Sequence, residues 1–277
     1  MSDFVIRMNN GLNLTRQEFE LTPGYSVTLK IEGQYNKEHL MFKSSNERIR
    51  LTQKADNKKR EQALTVTAVS EGSSEITSVT KGIRQCNITE LKGKVSDCFP
   101  KLTFVVLPII GIPANLTPRQ KAMVQVLLSE TSTPENGGFN QKDAKEAMTL
   151  MHDALYNRIA SPKAQYLDVP QDGRDKLLGL IFNGRVIEGF KGNTISPGIL
   201  TRINIMITRA NDGGSDMKKY RSLISDAITI ARKDTIILSH EVIGWRTKDN
   251  GLGGDNFELY KNLQGQTFTK LKADFLK

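Results

Sequence analysis

Glu130 follows the apolar run Val126-Leu127-Leu128 and precedes an oxygen-rich stretch from Thr131 to Asn140. Met123, Val124, Leu127 and Leu128 recur at helical spacing, so Glu130 closes a helix. A carboxyl there is shielded from water by its apolar neighbours and sits at the negative end of the helix dipole. Both effects raise its pKa. An acid that stays protonated near neutral pH can give its proton to a departing oxygen, the general-acid step that opens a glycosidic bond. The same carboxyl on a solvated helix end would be an ordinary surface group. Hydrolysis of such a bond usually involves a second carboxylate, about 5–5.5 Å away for retention and about 6.5–9.5 Å for inversion. Glu188, within Val186-Ile187-Glu188-Gly189-Phe190, can line the same cleft. Glu146 falls off the apolar stripe of its helix and is expected to face water. Glu135, Asp143 and Asp153 are expected at the surface.

Four other residues are candidates for substrate contact. The amide of Asn157 and the guanidinium of Arg158 can hydrogen-bond sugar hydroxyls or hold a cleft together. The alternative for both is helix C-capping. Phe190 can stack on a sugar or fill a core. Trp245 is the only tryptophan, and an aromatic face beside a cleft is a natural sugar platform.

The elements that must position these residues begin after Pro108-Ile109-Ile110-Gly111-Ile112-Pro113, a linker whose prolines and glycine break regular structure. Thr117 reads as an N-cap, with Pro118 at the first helical position and Gln120 completing a capping box. Asn140 caps a second helix whose stripe is Ala144, Ala147, Met148, Met151, Ala154 and Leu155. A third helix is expected over Arg174 to Phe182. Pro197 to Ala210 also reads as helix, although Ile203, Ile205 and Ile207 alternate. Ser215 is read as the cap of a last helix with the stripe Met217, Tyr220, Leu223, Ile224, Ala227, Ile228 and Ala231. The tail has β-like pieces at Ile236-Ile237-Leu238 and Gln266-Thr267-Phe268.

The first part reads differently. Val27, Leu29 and Ile31 alternate with polar residues after Thr22-Pro23-Gly24. Leu64, Val66 and Ala68 do the same, followed by Ser74 to Val79 and by Leu102 to Leu107. Strands at this spacing suggest a β-sandwich. Cys86 and Cys98 can close a short disulfide loop, stabilising by roughly 2–3 kcal/mol, or remain two reduced thiols.

Two resemblances follow. Leu127-Leu128-Ser129-Glu130-Thr131, then Ala154-Leu155-Tyr156-Asn157-Arg158-Ile159, then Val186 to Phe190, resemble in order the catalytic core of the spore-cortex-lytic type of cell-wall hydrolase, which is lysozyme-like, as in type VI secretion muramidase effectors. Gly244-Trp245-Arg246 and Leu263 to Phe268 resemble its closing segments. Gly189 replaces a Gln of the family pattern, Gln266-Thr267 stands where a His is usual, Thr269 where a Tyr is usual, and the stretch from Asp212 to Lys233 is longer than the family norm. The resemblance implies peptidoglycan as substrate and Glu130 as catalytic acid; no cofactor is expected. Ser44-Ser45-Asn46, Leu64 to Gly72 and Ser74-Glu75-Ile76-Thr77 resemble a bacterial Ig-like domain of the group-2 kind, a spacer or adhesion module. It departs from that pattern in a charged insertion from Lys54 to Gln62 and a lengthened end from Gln85 to Lys101.

Bulk properties agree with an α+β multidomain protein. At 277 residues, domains over 1–110 and 114–277 can each bury a core. The charge of +9, from 39 basic and 30 acidic side chains, draws polyanions. Nucleic acid is disfavoured as a partner because no recognition signature accompanies the charge. No apolar run reaches the roughly 20 residues of a membrane span. The start, Met1 to Arg7, lacks a signal-peptide pattern, so synthesis in the cytoplasm is expected. Action in the periplasm of a target cell then needs contact-dependent secretion, a phage-type route or lysis. An immunity protein and a secretion-spike component are expected partners of such an effector. The alternative is a non-catalytic wall-binding or spike-associated structural protein. His39, His152 and His240 are scattered and argue against a metal site, and the Thr131–Asn140 stretch has no calcium-loop spacing.

Overall fold

The computed structural model describes residues 3–7, 17–32, 39–56, 61–91, 97–233, 241–248 and 250–276. The β-like piece at Ile236-Ile237-Leu238 and His240 lie outside them, as do parts of the Lys54–Gln62 and Gln85–Lys101 stretches. The protein is α+β and divides into two compact units. One comprises Met1–Ile110 with Arg209–Met217, the other Gly111–Thr208 with Lys218–Lys277.

The first unit is built from strands β1 (Asp3–Arg7), β2 (Glu18–Leu21), β3 (Ser26–Glu32), β4 (Phe42–Ser44), β5 (Ile49–Asp56), β6 (Glu61–Ala68), β7 (Gly72–Ser78), β8 (Arg84–Cys86), β9 (Cys98–Pro100) and β10 (Leu102–Val106). One four-stranded sheet has the order β1-β3-β6-β5, and the other β2-β10-β7-β4. Their inward residues share one core. Alternation places Val27, Leu29 and Ile31 of β3, and Leu64, Val66 and Ala68 of β6, on the buried face. Phe19 and Phe104 face each other in the parallel β2–β10 register and stack at 4.9 Å.

The described ends of the Lys54–Gln62 stretch, expected as a charged insertion, lie in strands. Lys54, Ala55 and Asp56 continue β5 and pair with Ala63, Gln62 and Glu61 of β6. β5 lies at the sheet edge, where charged side chains blunt further pairing. Gln62 is buried and extends the ladder through its side chain, accepting from Leu40 N at 3.1 Å and donating to Leu40 O at 2.7 Å.

Arg209–Met217 joins this unit rather than the second because Asn211 is bound into it. Thr22 Oγ1 donates to Asn211 O at 2.7 Å, and the Asn211 amide exchanges bonds with Ile110 N and O at 3.0 and 2.8 Å.

The second unit holds α1 (Pro118–Glu130), α2 (Gln141–Ala160), α3 (Lys176–Ile181), the hairpin β11 (Phe190–Lys191) with β12 (Thr194–Ile195), α4 (Pro197–Arg209, ending in the first unit), α5 (Met217–Ala231), strands β13 (Gly244–Thr247), β14 (Phe257–Leu263) and β15 (Gln266–Leu271), and the short α6 (Ala273–Leu276). Thr117 and Gln120 form the capping box, and Asn140 accepts from Lys142 N and Asp143 N. The stripe of α2 is buried throughout. α1 packs on α2 and α3. α4 is helical despite its alternating isoleucines. Ile203 and Met206, three apart, are its buried pair, and Ile205 is exposed. The last helix starts at Met217, not directly after Ser215. The three-stranded sheet has the order β13-β15-β14. Among the described residues no helix is long and apolar enough to cross a membrane.

Cys86 and Cys98 form a disulfide that closes a loop with a sequence separation of 12. Loop-closure entropy assigns it about 2–3 kcal/mol. Reduction, or Cys86→Ser with Cys98→Ser, is therefore expected to lower the melting temperature of the first unit by on the order of 10 °C. Calorimetry with and without reductant checks this.

Candidate active site

Helix α1 ends at Glu130, and its last carbonyls need partners that the helix cannot supply. They are met from other elements of the same unit. Gln266 Nε2 in β15 donates to Glu130 O at 2.7 Å, and Arg202 in α4 donates through Nη2 to Thr131 O at 2.8 Å. Ser132 Oγ donates to Gln264 O at 2.9 Å, in the β14–β15 turn. The chain around the acid is thus fixed from two sides.

The Glu130 carboxyl is largely buried, and its pKa is raised, chiefly by that burial. Trp245 Nε1 donates to Oε2 at 3.2 Å. This bond and the Arg202 charge pull the pKa back down, whereas the Glu188 carboxylate pushes it up. Glu130 and Glu188 are therefore close enough to sense each other.

Trp245 is positioned through its backbone. β13 pairs with β15 in the register Trp245↔Phe268. The residues leading into β13 are held by the end of α2: Asn157 Nδ2 donates to Val242 O at 2.7 Å, and Arg158 Nε to Ile243 O at 2.6 Å. A Cβ on Gly244 would lie 3.0 Å from Arg158 Nη2, so the absence of a side chain there lets the guanidinium approach. Burial pushes the Arg158 pKa down to about 10, which leaves it charged at neutral pH. Of the two sequence alternatives for this pair, the structure places both side chains on backbone carbonyls, where they hold the site together.

Other expectations change. Phe190 is fully buried and packs on Phe182 with ring centres 5.8 Å apart, so it is core and has no face for a sugar. Asp153, expected at the surface, is buried beside His152, with Nδ1 and Oδ1 3.1 Å apart. Glu146 is half-buried and paired with Lys261. Glu188 is exposed. The roles of Arg202 and Ser132 had no local signal in the sequence, because each acts on a residue far away along the chain. The same holds for Gln266. Among the described residues no group of three or more His, Cys, Asp or Glu is placed to hold a metal ion.

No family model matches the chain. No curated protein matches it significantly either. Among solved structures, the cysteine protease inhibitor EhICP2 from Entamoeba histolytica is similar over 39% of this chain and 96% of that chain, at 8% identity and a TM-score of 0.24. A likeness so slight specifies neither fold nor function, and the site stands on its own geometry.

Because Trp245 is the single tryptophan, its emission reports on the carboxyl it touches. Fluorescence titrated against pH is expected to show a transition above the usual carboxylate range, and Glu130→Gln is expected to remove it. The stability consequence has a definite sign. The raised pKa means that the folded state holds this proton more tightly than the unfolded chain does. Its contribution is fully present below the unfolded pKa of about 4.3 and is lost as pH rises through the folded value. Glu130→Gln should therefore raise the melting temperature near neutral pH and have little effect in acid. Asn157→Ala strands the Val242 carbonyl and is expected to cost about 1–3 kcal/mol, together with a shift in Trp245 emission.

Proposed function

We propose that the second unit cleaves the glycan strand of peptidoglycan, as a muramidase or lytic transglycosylase, with Glu130 as its general acid. One observation carries this reading: a carboxyl with a raised pKa at the end of α1, oriented by the Trp245 N–H, with a second carboxylate, Glu188, in its field. The motif order that resembles the spore-cortex-lytic, lysozyme-like hydrolases supports it independently.

In the proposed reaction the proton on Glu130 moves to the glycosidic oxygen as the bond from that oxygen to the anomeric carbon breaks. The anomeric carbon then takes an oxygen nucleophile. Water gives a reducing end, and the sugar's own 6-hydroxyl gives an anhydro end. The nucleophile's proton passes to a carboxylate, either Glu130, now ionised, or Glu188. Glu188 also places negative charge where the oxocarbenium-like carbon develops positive charge. Trp245 orients the acid and offers its exposed face to a sugar ring.

On this reading the second unit is lysozyme-like, and the first is an Ig-like sandwich of the group-2 kind that acts as a spacer or adhesion module. The protein would work in the periplasm of a target cell, delivered by contact-dependent secretion with a spike component as carrier. An immunity protein that covers the Glu130 cleft would protect the producer.

Purified sacculi digested by the wild-type protein should release disaccharide-peptides, and Glu130→Gln should lower the rate by roughly 10²–10⁴-fold. Mass analysis of the ends separates hydrolysis from transglycosylation. Release by neither protein would leave a wall-binding or spike-associated structural role. Equal release by both would remove Glu130 from the mechanism.

A further inference from the structure

We propose that the second unit carries a distinct groove that binds the carboxylates of a short acidic peptide. The groove, about 690 Å³, is lined by α3 and the β11–β12 hairpin. That volume falls within the range of about 300–1,000 Å³ typical of small-molecule sites. Leu178, Phe182 and Pro170 give it an apolar surface. Its remaining character is that of a hydrogen-bond donor and a cation.

Of the acceptors that line the groove, Asp175 and the Asn183 amide oxygen are firmly engaged, and Asp168 sits in an exposed pair. Asp175 accepts from Leu177 N and Leu178 N, each at 3.0 Å, and from Arg119 Nε at 2.6 Å. Asn183 Oδ1 accepts from Arg185 N at 2.8 Å and Val186 N at 3.1 Å. Asp168 is paired with Arg185 at 3.4 Å. The donors, by contrast, are available. Lys191 has no ion pair among the described residues. Arg174 and Arg185 are held only by Asp172 and Asp168 in solvent-exposed pairs, which contribute little and exchange readily.

A neutral sugar presents hydroxyls that donate as well as accept, and two of the groove's acceptors, Asp175 and the Asn183 amide oxygen, are already taken. A carboxylate only accepts, and it matches a guanidinium or ammonium with strong charge-assisted bonds. An apolar surface between cations suits a chain whose carboxylates are separated by methyl or methylene groups, which a free phosphate lacks. The groove is also tied to the acid site by one loop. Arg185 lines the groove, and Glu188, which acts on Glu130, is three residues later. Their Cα atoms are at most about 11 Å apart. On the wall-cleavage reading, on which this identification rests, the ligand is the peptide branch of the wall polymer, bound beside the strand that is cut.

The test uses the full chain and a sugar-free tetrapeptide with free carboxylates, alongside its fully amidated counterpart. Fluorescence anisotropy should show the carboxylate peptide binding at least about tenfold more tightly than the amidated one. Lys191→Glu should abolish that preference without changing the melting temperature, and the milder Lys191→Gln should weaken it. Equal affinity for the two peptides, unchanged binding by both Lys191 variants, or displacement by inorganic phosphate at the peptide's own concentration would each overturn the proposal. Carboxylate-dependent binding by a protein that releases nothing from sacculi would keep the groove and discard the cleavage reading. Release from sacculi without peptide preference would do the reverse.

Discussion

The second unit is organised around the burial of one carboxyl group. Taking Glu130 out of water disfavours its ionised form, and an unpaired buried charge would cost the fold several kcal/mol. The structure meets this constraint in two ways. Burial raises the pKa of the group, and one N–H, from Trp245, donates to an oxygen that would otherwise be unsatisfied. Neither solution works unless the end of α1 is held still. That is why Gln266, Arg202 and Ser132 converge there from β15, α4 and the β14–β15 turn. The apolar packing of α1 against α2 and α3 offsets the cost.

Positioning runs through backbone carbonyls more than through pairs of side chains. Asn157 and Arg158 grip Val242 and Ile243, those residues lead into β13, and β13 presents Trp245 to Glu130. A buried amide or guanidinium bound to a carbonyl has few alternative rotamers, so it transmits position faithfully. Arg158 is charged and buried without a close carboxylate. Its charge is spread over Ile243 O and Leu167 O, with Asp168 adding a favourable field. The end of α2 is therefore structural machinery for a site that it does not itself line.

The sequence made legible those parts whose cause is local. The caps of α1 and α2, the stripe of α2 and the alternation in β3 and β6 are set by neighbouring residues and appear where the pattern places them. β1, β2, β5 and β14 were not legible. β5 is an edge strand with only Ile49 fully buried, so its charged residues mimic an insertion. β1 and β2 pair in parallel with strands far along the chain, and no local signal encodes that. The same division holds in the site. Glu130 was singled out by the resemblance, with the apolar run before it as the physical reason for a raised pKa. Arg202 and Gln266 depend on contacts across 71 and 136 residues of chain. Phe190 and Asp153 show the limit of reading residue type alone, because burial decided both and is a property of the packed unit.

The contrast between Glu130 and Glu188 bears on what the site can do. Acid and base assignments emerge where two carboxyl groups sit in different environments. Here one is buried and hydrogen-bonded by an indole, and the other is exposed on a loop. Burial suits Glu130 to hold a proton until a leaving oxygen arrives. Exposure suits Glu188 to receive a proton from water or to face a developing cation. The Glu188 carboxylate adds to the rise in the Glu130 pKa, after the larger effect of burial. On the proposed reading, once Glu130 gives up its proton the two carboxylates repel until one is reprotonated by the incoming nucleophile. That repulsion helps return the site to its starting state. A lone acid at the same helix end would have no such restoring force, and this is the physical reason for assigning both carboxylates to one mechanism.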